Sequence, residues 1–207
     1  MTTATANSPR PTVVIVPGLR DHVAEHWQTH LADELERVRT VPPLDQDKLS
    51  RQARVAVLDS VIREIDGPIV IVAHSAGVIT TVHWAHQSDR EIAGALLVTP
   101  ADLELPLPPG YPTTAEIDRG GWNPVPRRRL PFASIVAASR TDALGGFRRI
   151  TGMAEHWGSR VVDLGDVGHL NPAAGYGRWS RATELLDELI AVTATPIAGS
   201  AVAERKR

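Results

Sequence analysis

A run of branched apolar residues that ends abruptly in a histidine, a serine and a glycine constrains this chain most. The run is Ile69-Val70-Ile71-Val72-Ala73-His74-Ser75-Ala76-Gly77, and the stretch that follows it, to Ala85, can be helical. A strand that turns this sharply into a helix strains the backbone of the serine and lifts its hydroxyl above the sheet. Ala73 and Gly77 suit such a turn because a large side chain at either position would collide with a neighbouring element. The pattern predicts a nucleophile elbow at Ser75, with Ala73 where glycine is more usual.

A second interpretation of the same residues is that Ser75 only begins a helix. A serine at a helix start commonly accepts hydrogen bonds from backbone amides of the first turn. The short pattern alone does not separate the two interpretations, so the rest of the chain has to decide between them.

The composition sets the class of protein. The chain has 207 residues, 43% hydrophobic and 22% charged, which suits one globular domain with a sizeable core. The net charge of −2 argues against nucleic acid or an anionic membrane as a partner. The absence of cysteine excludes disulfides, thiolate metal sites and a cysteine nucleophile. No apolar run approaches the ~20 residues of a membrane span and the N-terminal residues lack a signal peptide's apolar core, so we expect a cytoplasmic protein.

Apolar runs alternate with helical patterns along the chain. Strands are predicted at 12–16, 38–41, 69–72, 93–98, 132–138 and 160–164. Helices are predicted at 25–37, 48–65, 76–87, 144–156 and 178–192. This alternation predicts an α/β fold with a roughly six-stranded, mostly parallel sheet that carries helices on both faces.

The composition also divides the chain into regions. Residues 11–192 are predicted to form one domain, with a disordered tail at 1–10 and a flexible tail at 193–207, both rich in small and polar residues. Residues 100–131 are rich in Pro and Gly and show no sustained period. Because a loop of this length is unusual in a compact domain, we expect it to border a functional site.

Two polar residues that lie just beyond the ends of predicted strands can complete a nucleophilic site with Ser75. An activated serine needs a base to take its proton and an acid to orient that base. Such groups gather at the carboxyl ends of parallel strands, where Asp142 and His169 follow the last two predicted strands. The order Ser75, Asp142, His169 is the one expected of a hydrolase with this architecture. Asp102, past the preceding strand, remains an alternative for the acid.

Backbone amides are the expected donors to the negative charge that develops during acyl transfer. One candidate is the amide of Ala76, directly after the serine, and the other is the amide of Leu19 in the loop after the first strand. Gly18 would let that loop approach the site closely. The alternative, that Pro17 and Gly18 only make a turn, stays open.

Histidines and tryptophans are the other candidates for metal or substrate binding. His22, His26 and His30 are spaced by four, but no carboxylate lies at a suitable spacing, so no metal site and no cofactor are predicted. Trp27, Trp122 and Trp179 are candidates for the walls of a substrate pocket. The alternative is that these large aromatic residues pack in the core or at its rim.

Several motifs together resemble a known family. The motifs are Val16-Pro17-Gly18, His26-Trp27-Gln28, Ala73-His74-Ser75-Ala76-Gly77, Trp122-Asn123-Pro124-Val125-Pro126, Ala138-Ser139-Arg140-Thr141-Asp142, Ala154-Glu155-His156-Trp157-Gly158, Gly168-His169-Leu170-Asn171 and Gly175-Tyr176-Gly177-Arg178-Trp179. They resemble the small serine hydrolases of the α/β-hydrolase superfamily that include the retinoblastoma-binding hydrolase and its bacterial relatives. The resemblance extends over roughly residues 12–192.

The resemblance implies a compact α/β-hydrolase without a large cap, with Ser75, Asp142 and His169 as its triad. Relatives often follow the acid with Pro-Tyr, whereas this chain has Ala143-Leu144. The first loop carries the bulkier residues 19–22 where many relatives have small ones. Neither departure affects a triad position.

The leading hypothesis from the sequence is a serine hydrolase that acts on carboxyl esters with small or medium acyl groups. An acyltransferase is not separated from it by any residue. The alternative from another class is a binding or regulatory module with little or no turnover, for which a protein partner stays open. The presence of all three triad candidates argues against that alternative.

Overall fold

Six parallel strands form the centre of the molecule, for which the computed structural model describes residues 10–194. The strands are β1 (Thr12–Val16), β2 (Val38–Thr40), β3 (Ile69–His74), β4 (Gly94–Val98), β5 (Ala133–Ala138) and β6 (Arg160–Asp163). They pair in the order β2-β1-β3-β4-β5-β6, all in parallel. The carboxyl ends of all six strands therefore lie along one edge of the sheet, and β3 lies near its middle.

Helices cover both faces of this sheet. They are α1 (Trp27–Glu34), α2 (Arg51–Arg63), α3 (Ala76–Ala85), α4 (Thr114–Arg119), α5 (Phe147–Trp157) and α6 (Arg181–Ala194), with a 3₁₀ turn at Pro172–Ala174. Alternate residues of β3 point to opposite faces: Ile69 and Ile71 pack in a core with α2, α3 and α5, whereas Val70 and Val72 pack in a second core with α1 and α6. Burial on both faces explains why the strand is a continuous apolar run and not an alternating one.

The architecture agrees with the sequence prediction, and the predicted α/β fold with six strands and helices on both faces is confirmed. The differences are local. The helix predicted at 25–37 ends at Glu34 because Leu35 takes an extended conformation that leads into β2. The stretch 100–131, which showed no helical period, contains α4, whose six residues begin at a capping box between Thr113 and Glu116.

The predicted tails fall mostly outside the described residues. Residues 1–9 and 195–207 are not described, so the tail predictions at 1–10 and 193–207 are not decided there. At the boundary, α6 continues to Ala194, two residues past the predicted domain end at 192. Within residues 10–194, none of the helices combines the length and apolar character required to cross a bilayer.

The turn between β3 and α3 depends on a very close backbone approach at Gly77. A Cβ built on Gly77 would lie 2.3 Å from the carbonyl oxygen of Val16 and 2.6 Å from that of Pro17. Both atoms belong to the backbone and cannot rotate away. The absence of a side chain therefore lets the first turn of α3 pack directly on the end of β1.

We predict that Gly77→Ala lowers the free energy of unfolding by about 3 kcal/mol, because the new methyl group forces α3 and β1 apart. Gly152→Ala is the matched control, since Gly152 lies within α5 and a Cβ there would meet nothing within 4 Å. That change is expected to raise the free energy of unfolding by about 0.5–1 kcal/mol. Urea denaturation of the three proteins measures both effects, and a Gly77→Ala variant as stable as wild type would contradict the packing described.

Candidate active site

Ser75 occupies the turn between β3 and α3 in a strained backbone conformation. Its φ of 58° and ψ of −127° lie outside the regions that non-glycine residues favour. The Ser75 amide donates to the Val98 carbonyl at the end of β4, over 3.1 Å, which holds the turn against the sheet. The serine hydroxyl makes no helix-capping bond, so the interpretation of Ser75 as an ordinary helix cap does not describe this turn.

The Ser75 hydroxyl belongs to a chain of three hydrogen-bonded side chains. Ser75 Oγ lies 2.8 Å from His169 Nε2. His169 Nδ1 lies 2.9 Å from each carboxylate oxygen of Asp142. All three residues are 8% exposed. The structure thus brings together the three residues that the sequence singled out, although they are separated by up to 94 positions along the chain.

Short backbone contacts fix the positions of Asp142 and His169. The amide of Leu144 donates to Asp142 Oδ1 over 2.8 Å. The carbonyl oxygen of His169 accepts from His74 Nε2 at 2.9 Å and from the Thr99 hydroxyl at 3.4 Å. The loop that carries His169 is therefore tied to the ends of β3 and β4.

Asp102, the other candidate for the acid, has different partners. Its carboxylate forms a two-armed ion pair with Arg149 of α5, at 2.7 and 3.0 Å. One of its oxygens also accepts from the amide of Glu104 at 3.2 Å. In this structure the carboxylate beside His169 is that of Asp142.

The loop after β1 lies directly against the serine. A Cβ on Gly18 would stand 3.1 Å from Ser75 Cβ and 3.4 Å from Ser75 Oγ, so a larger residue would press on the hydroxyl. Leu19 follows it in this loop, and both Leu19 and Ala76 line the cavity onto which Ser75 opens. Ala76 is the first residue of α3, where backbone amides have no partner within the helix.

A cavity of about 430 Å³ surrounds the serine and the histidine. Its apolar lining comes from loops that follow the strands, including Leu19, Leu49, Leu103, Leu107, Tyr111 and Leu144. Several of these residues belong to the segment at 100–131, which the sequence predicted to border a site. The sequence signal for this lining is the presence of apolar residues in the loops that follow the predicted strands.

The three tryptophans predicted as pocket walls are not among the residues that line this cavity. Trp27 and Trp122 are 1% and 0% exposed and pack in the two cores. Trp122 donates its indole N–H to the Leu49 carbonyl at 2.7 Å. Trp179 packs edge-on against Trp27, with ring centroids 5.2 Å apart. The three rings therefore lie behind the lining of this cavity and not in it.

A row of three histidine rings runs from the serine into the protein. The ring of His74 lies 4.8 Å from the ring of His169 and 4.6 Å from that of His26. Burial is the main cause that lowers the pKa of His74 well below its usual value, and the neighbouring histidines lower it further. Burial, followed by the effect of His169, lowers the pKa of His26 to about 4. Both rings are therefore neutral at pH 7, and His74 donates to the His169 carbonyl.

The cavity residues do not form a recognisable metal site. His26, whose Nδ1 accepts from the Gln28 amide at 3.2 Å, is the N-cap of α1. Within residues 10–194 there is no cluster of three or more His, Cys, Asp or Glu side chains arranged to hold a metal ion.

The parallel sheet, the strained serine and the histidine and carboxylate that follow later strands define an α/β-hydrolase fold. The model of the family described as serine hydrolase matches residues 13–188. The chain belongs to this serine hydrolase family, which confirms the resemblance described from the sequence motifs.

Solved structures of similar proteins have the same fold. A YdeN-like hydrolase from Pectobacterium atrosepticum is 27% identical, with a TM-score of 0.75, over 89% of this chain and 92% of that one. The ydeN gene product of B. subtilis is 17% identical, with a TM-score of 0.68, over 87% and 99%. Alpha/beta hydrolase domain-containing protein 10 from mouse is 13% identical, with a TM-score of 0.69, over 89% and 91%. No curated protein matches the sequence.

We predict that His26→Asn reduces the sensitivity of folding to acid. Folded His26 stays neutral down to a pKa of about 4, whereas an unfolded histidine takes up a proton near 6.5. Between these values the unfolded state binds more protons, so the free energy of unfolding falls as the pH is lowered. Asparagine does not titrate and is also a good N-cap.

The expected loss of stability between pH 7 and pH 4 is about 3 kcal/mol smaller in the variant than in wild type. Urea denaturation at both pH values measures it. Equal losses in the two proteins would show that His26 is not held neutral by the fold.

Proposed function

We propose that this serine hydrolase cleaves carboxyl esters with small or medium acyl groups, using Ser75 as nucleophile, His169 as base and Asp142 as the acid that orients the histidine. The observation that carries the proposal is the hydrogen-bonded chain from Ser75 through His169 to Asp142, placed at the wall of a cavity. The cavity volume of about 430 Å³ and its leucine-rich lining support a substrate with a compact apolar acyl group. A cytoplasmic location, predicted from the sequence, is part of the proposal.

In the proposed first half-reaction, Ser75 Oγ attacks the ester carbonyl while its proton passes to His169 Nε2. Asp142 stays ionised, keeps the proton of His169 on Nδ1 and stabilises the imidazolium that forms. The tetrahedral intermediate collapses when His169 returns the proton to the leaving alcohol, which leaves the acyl group on Ser75. In the second half-reaction His169 Nε2 takes a proton from water as the water oxygen bonds to the acyl carbon. The bond between that carbon and Ser75 Oγ then breaks, His169 returns the proton to Ser75 and a carboxylic acid is released.

The negative charge of each tetrahedral intermediate requires fixed donors. We assign this role to the backbone amides of Leu19 and Ala76, which belong to residues at the cavity wall. The Ala76 amide lies at the positive end of α3, which favours a developing anion.

Labelling with a fluorophosphonate probe tests the proposal directly. Attachment at Ser75, mapped by peptide mass spectrometry, is expected in wild type and not in Ser75→Ala or His169→Ala. Hydrolysis of p-nitrophenyl esters from acetate to octanoate is expected to fall by about 10⁴-fold in Ser75→Ala. A folded wild-type protein that neither takes the label nor turns over any ester would overturn the proposal and favour a binding or regulatory module.

A comparison of two aspartates tests the identity of the acid. Asp142→Asn is expected to lower kcat by about 10³–10⁴-fold, because the amide no longer holds His169 in the productive tautomer. Asp102→Asn is the matched control: it is expected to cost about 1 kcal/mol of stability through the weakened Arg149 contact and to leave kcat near that of wild type. Steady-state kinetics with circular dichroism as a folding check measures both, and a reversed pattern would assign the acid to Asp102.

A further inference from the structure

Arg54 is a buried arginine that reaches from α2 to the loop beside the serine. Its side chain is 8% exposed. Nε donates to the Lys48 carbonyl at 2.8 Å, while Nη1 and Nη2 donate to the carbonyls of Gly18 and Leu19 at 3.4 and 3.3 Å. One planar guanidinium thus joins two separate backbone segments, and both supply residues to the cavity wall.

The charge of Arg54 is balanced inside the protein. Its Nη1 lies 3.1 Å from Asp21 Oδ1, and the Asp21 side chain is 10% exposed. Lys48, which is mostly exposed, lies 3.8 Å from the other oxygen of Asp21. A buried ion pair contributes little net stability because both charges lose their hydration. A role in fixing the geometry of the loop explains this buried ion pair better than a contribution to stability does.

We propose that Arg54 is a positioning residue for the oxyanion hole: it fixes the peptide between Gly18 and Leu19 so that the Leu19 N–H faces the developing charge. The proposal rests on the proposed function, because it assigns a role within the same acyl-transfer site. Arg54 itself does not line the cavity and acts only through the loop.

The planarity of the peptide bond connects the arginine to the amide. In a trans peptide the C=O and N–H bonds point in opposite directions. Because the Gly18 carbonyl is held on the side of Arg54, the Leu19 N–H is turned to the opposite side. The Gly18 carbonyl also accepts from the Asp21 amide at 3.1 Å, which closes the loop around the same oxygen.

The position of Gly18 brings this peptide to the nucleophile. Its Cα is close enough to Ser75 that an added Cβ would stand 3.1 Å from Ser75 Cβ. A peptide this close contributes to catalysis only if its orientation is held before the reaction begins. Arg54 restrains this peptide because it donates to two consecutive carbonyls, those of Gly18 and Leu19. Rotation of the peptide between these residues would break the hydrogen bond from Arg54 to the Gly18 carbonyl.

The test compares Arg54→Met with Arg90→Met. Arg90 is the matched control, because it also donates to two backbone carbonyls, those of Ile65 and Gly67, in the loop that precedes β3. Arg54→Met leaves the Asp21 carboxylate without its main partner, so the double variant Asp21→Asn/Arg54→Met is included to remove that charge. Arg54→Lys keeps the charge but lacks the planar fork that reaches both carbonyls.

With an active wild type, Arg54→Met and the double variant are expected to lower kcat by about 10²-fold, the size of effect seen when one oxyanion donor is lost. KM changes little, and a boronic acid that mimics the tetrahedral intermediate is expected to bind about 10²-fold more weakly. Arg54→Lys recovers only part of the activity, and Arg90→Met retains all of it. A folded double variant with wild-type kcat and boronate affinity would overturn the proposal while leaving the proposed function intact.

A second measurement does not depend on activity. In protein labelled with [¹⁵N]leucine, the Leu19 amide resonance, assigned with Leu19→Met, is expected to shift in the double variant and to stay in place in Arg90→Met. A Leu19 resonance that does not move in the double variant would overturn the role of Arg54 even if no ester were hydrolysed.

Discussion

The contact between Gly77 and the end of β1 is the constraint on which the site depends. Because the backbone of α3 rests on the carbonyls of Val16 and Pro17, the chain has no room for a gradual bend after β3. The strain of the turn falls on Ser75, whose hydroxyl is lifted to the carboxyl edge of the sheet. The same contact brings the loop after β1 beside the serine, so that one packing arrangement positions both the Ser75 hydroxyl and the backbone amides next to it.

Buried polar groups around this turn act mainly by fixing backbone segments. His74 ties the loop of His169 to β3 through one carbonyl. Gln28 of α1 donates to the carbonyl of Val16 at the end of β1, at 3.2 Å, and to that of Val72 within β3, at 3.1 Å. Arg54 performs the corresponding task on the opposite face of the sheet. Each side chain bonds backbone carbonyls that lose their hydration on burial, and this stabilises the position of the segments that carry them.

The sequence predicted strands better than it predicted the lining of the cavity. A strand buried on both faces is a long apolar run, so β1, β3, β4 and β5 were recognisable from residue type alone. Helix α4 is not predicted from the sequence because six residues are too few to show a helical period of apolar residues. The size and aromaticity of a tryptophan make it a candidate for a pocket wall but do not indicate in which direction its ring points. The ring of Trp122 points into the core, where its N–H donates to the Leu49 carbonyl.

By itself the sequence determined the order of the strands and of every helix except α4, the elbow at Ser75 and the two strand ends that carry Asp142 and His169. These features are local, or follow from the rule that parallel strands end at one edge. Only the tertiary structure shows that the carboxylate beside His169 is that of Asp142, whereas Asp102 pairs with Arg149, because both aspartates follow strands and the sequence does not give their distances to His169. It also placed Arg54 beside Gly18, 36 residues away along the chain. Contacts of this kind arise from the packing of a helix across a sheet, which no short pattern of residues encodes.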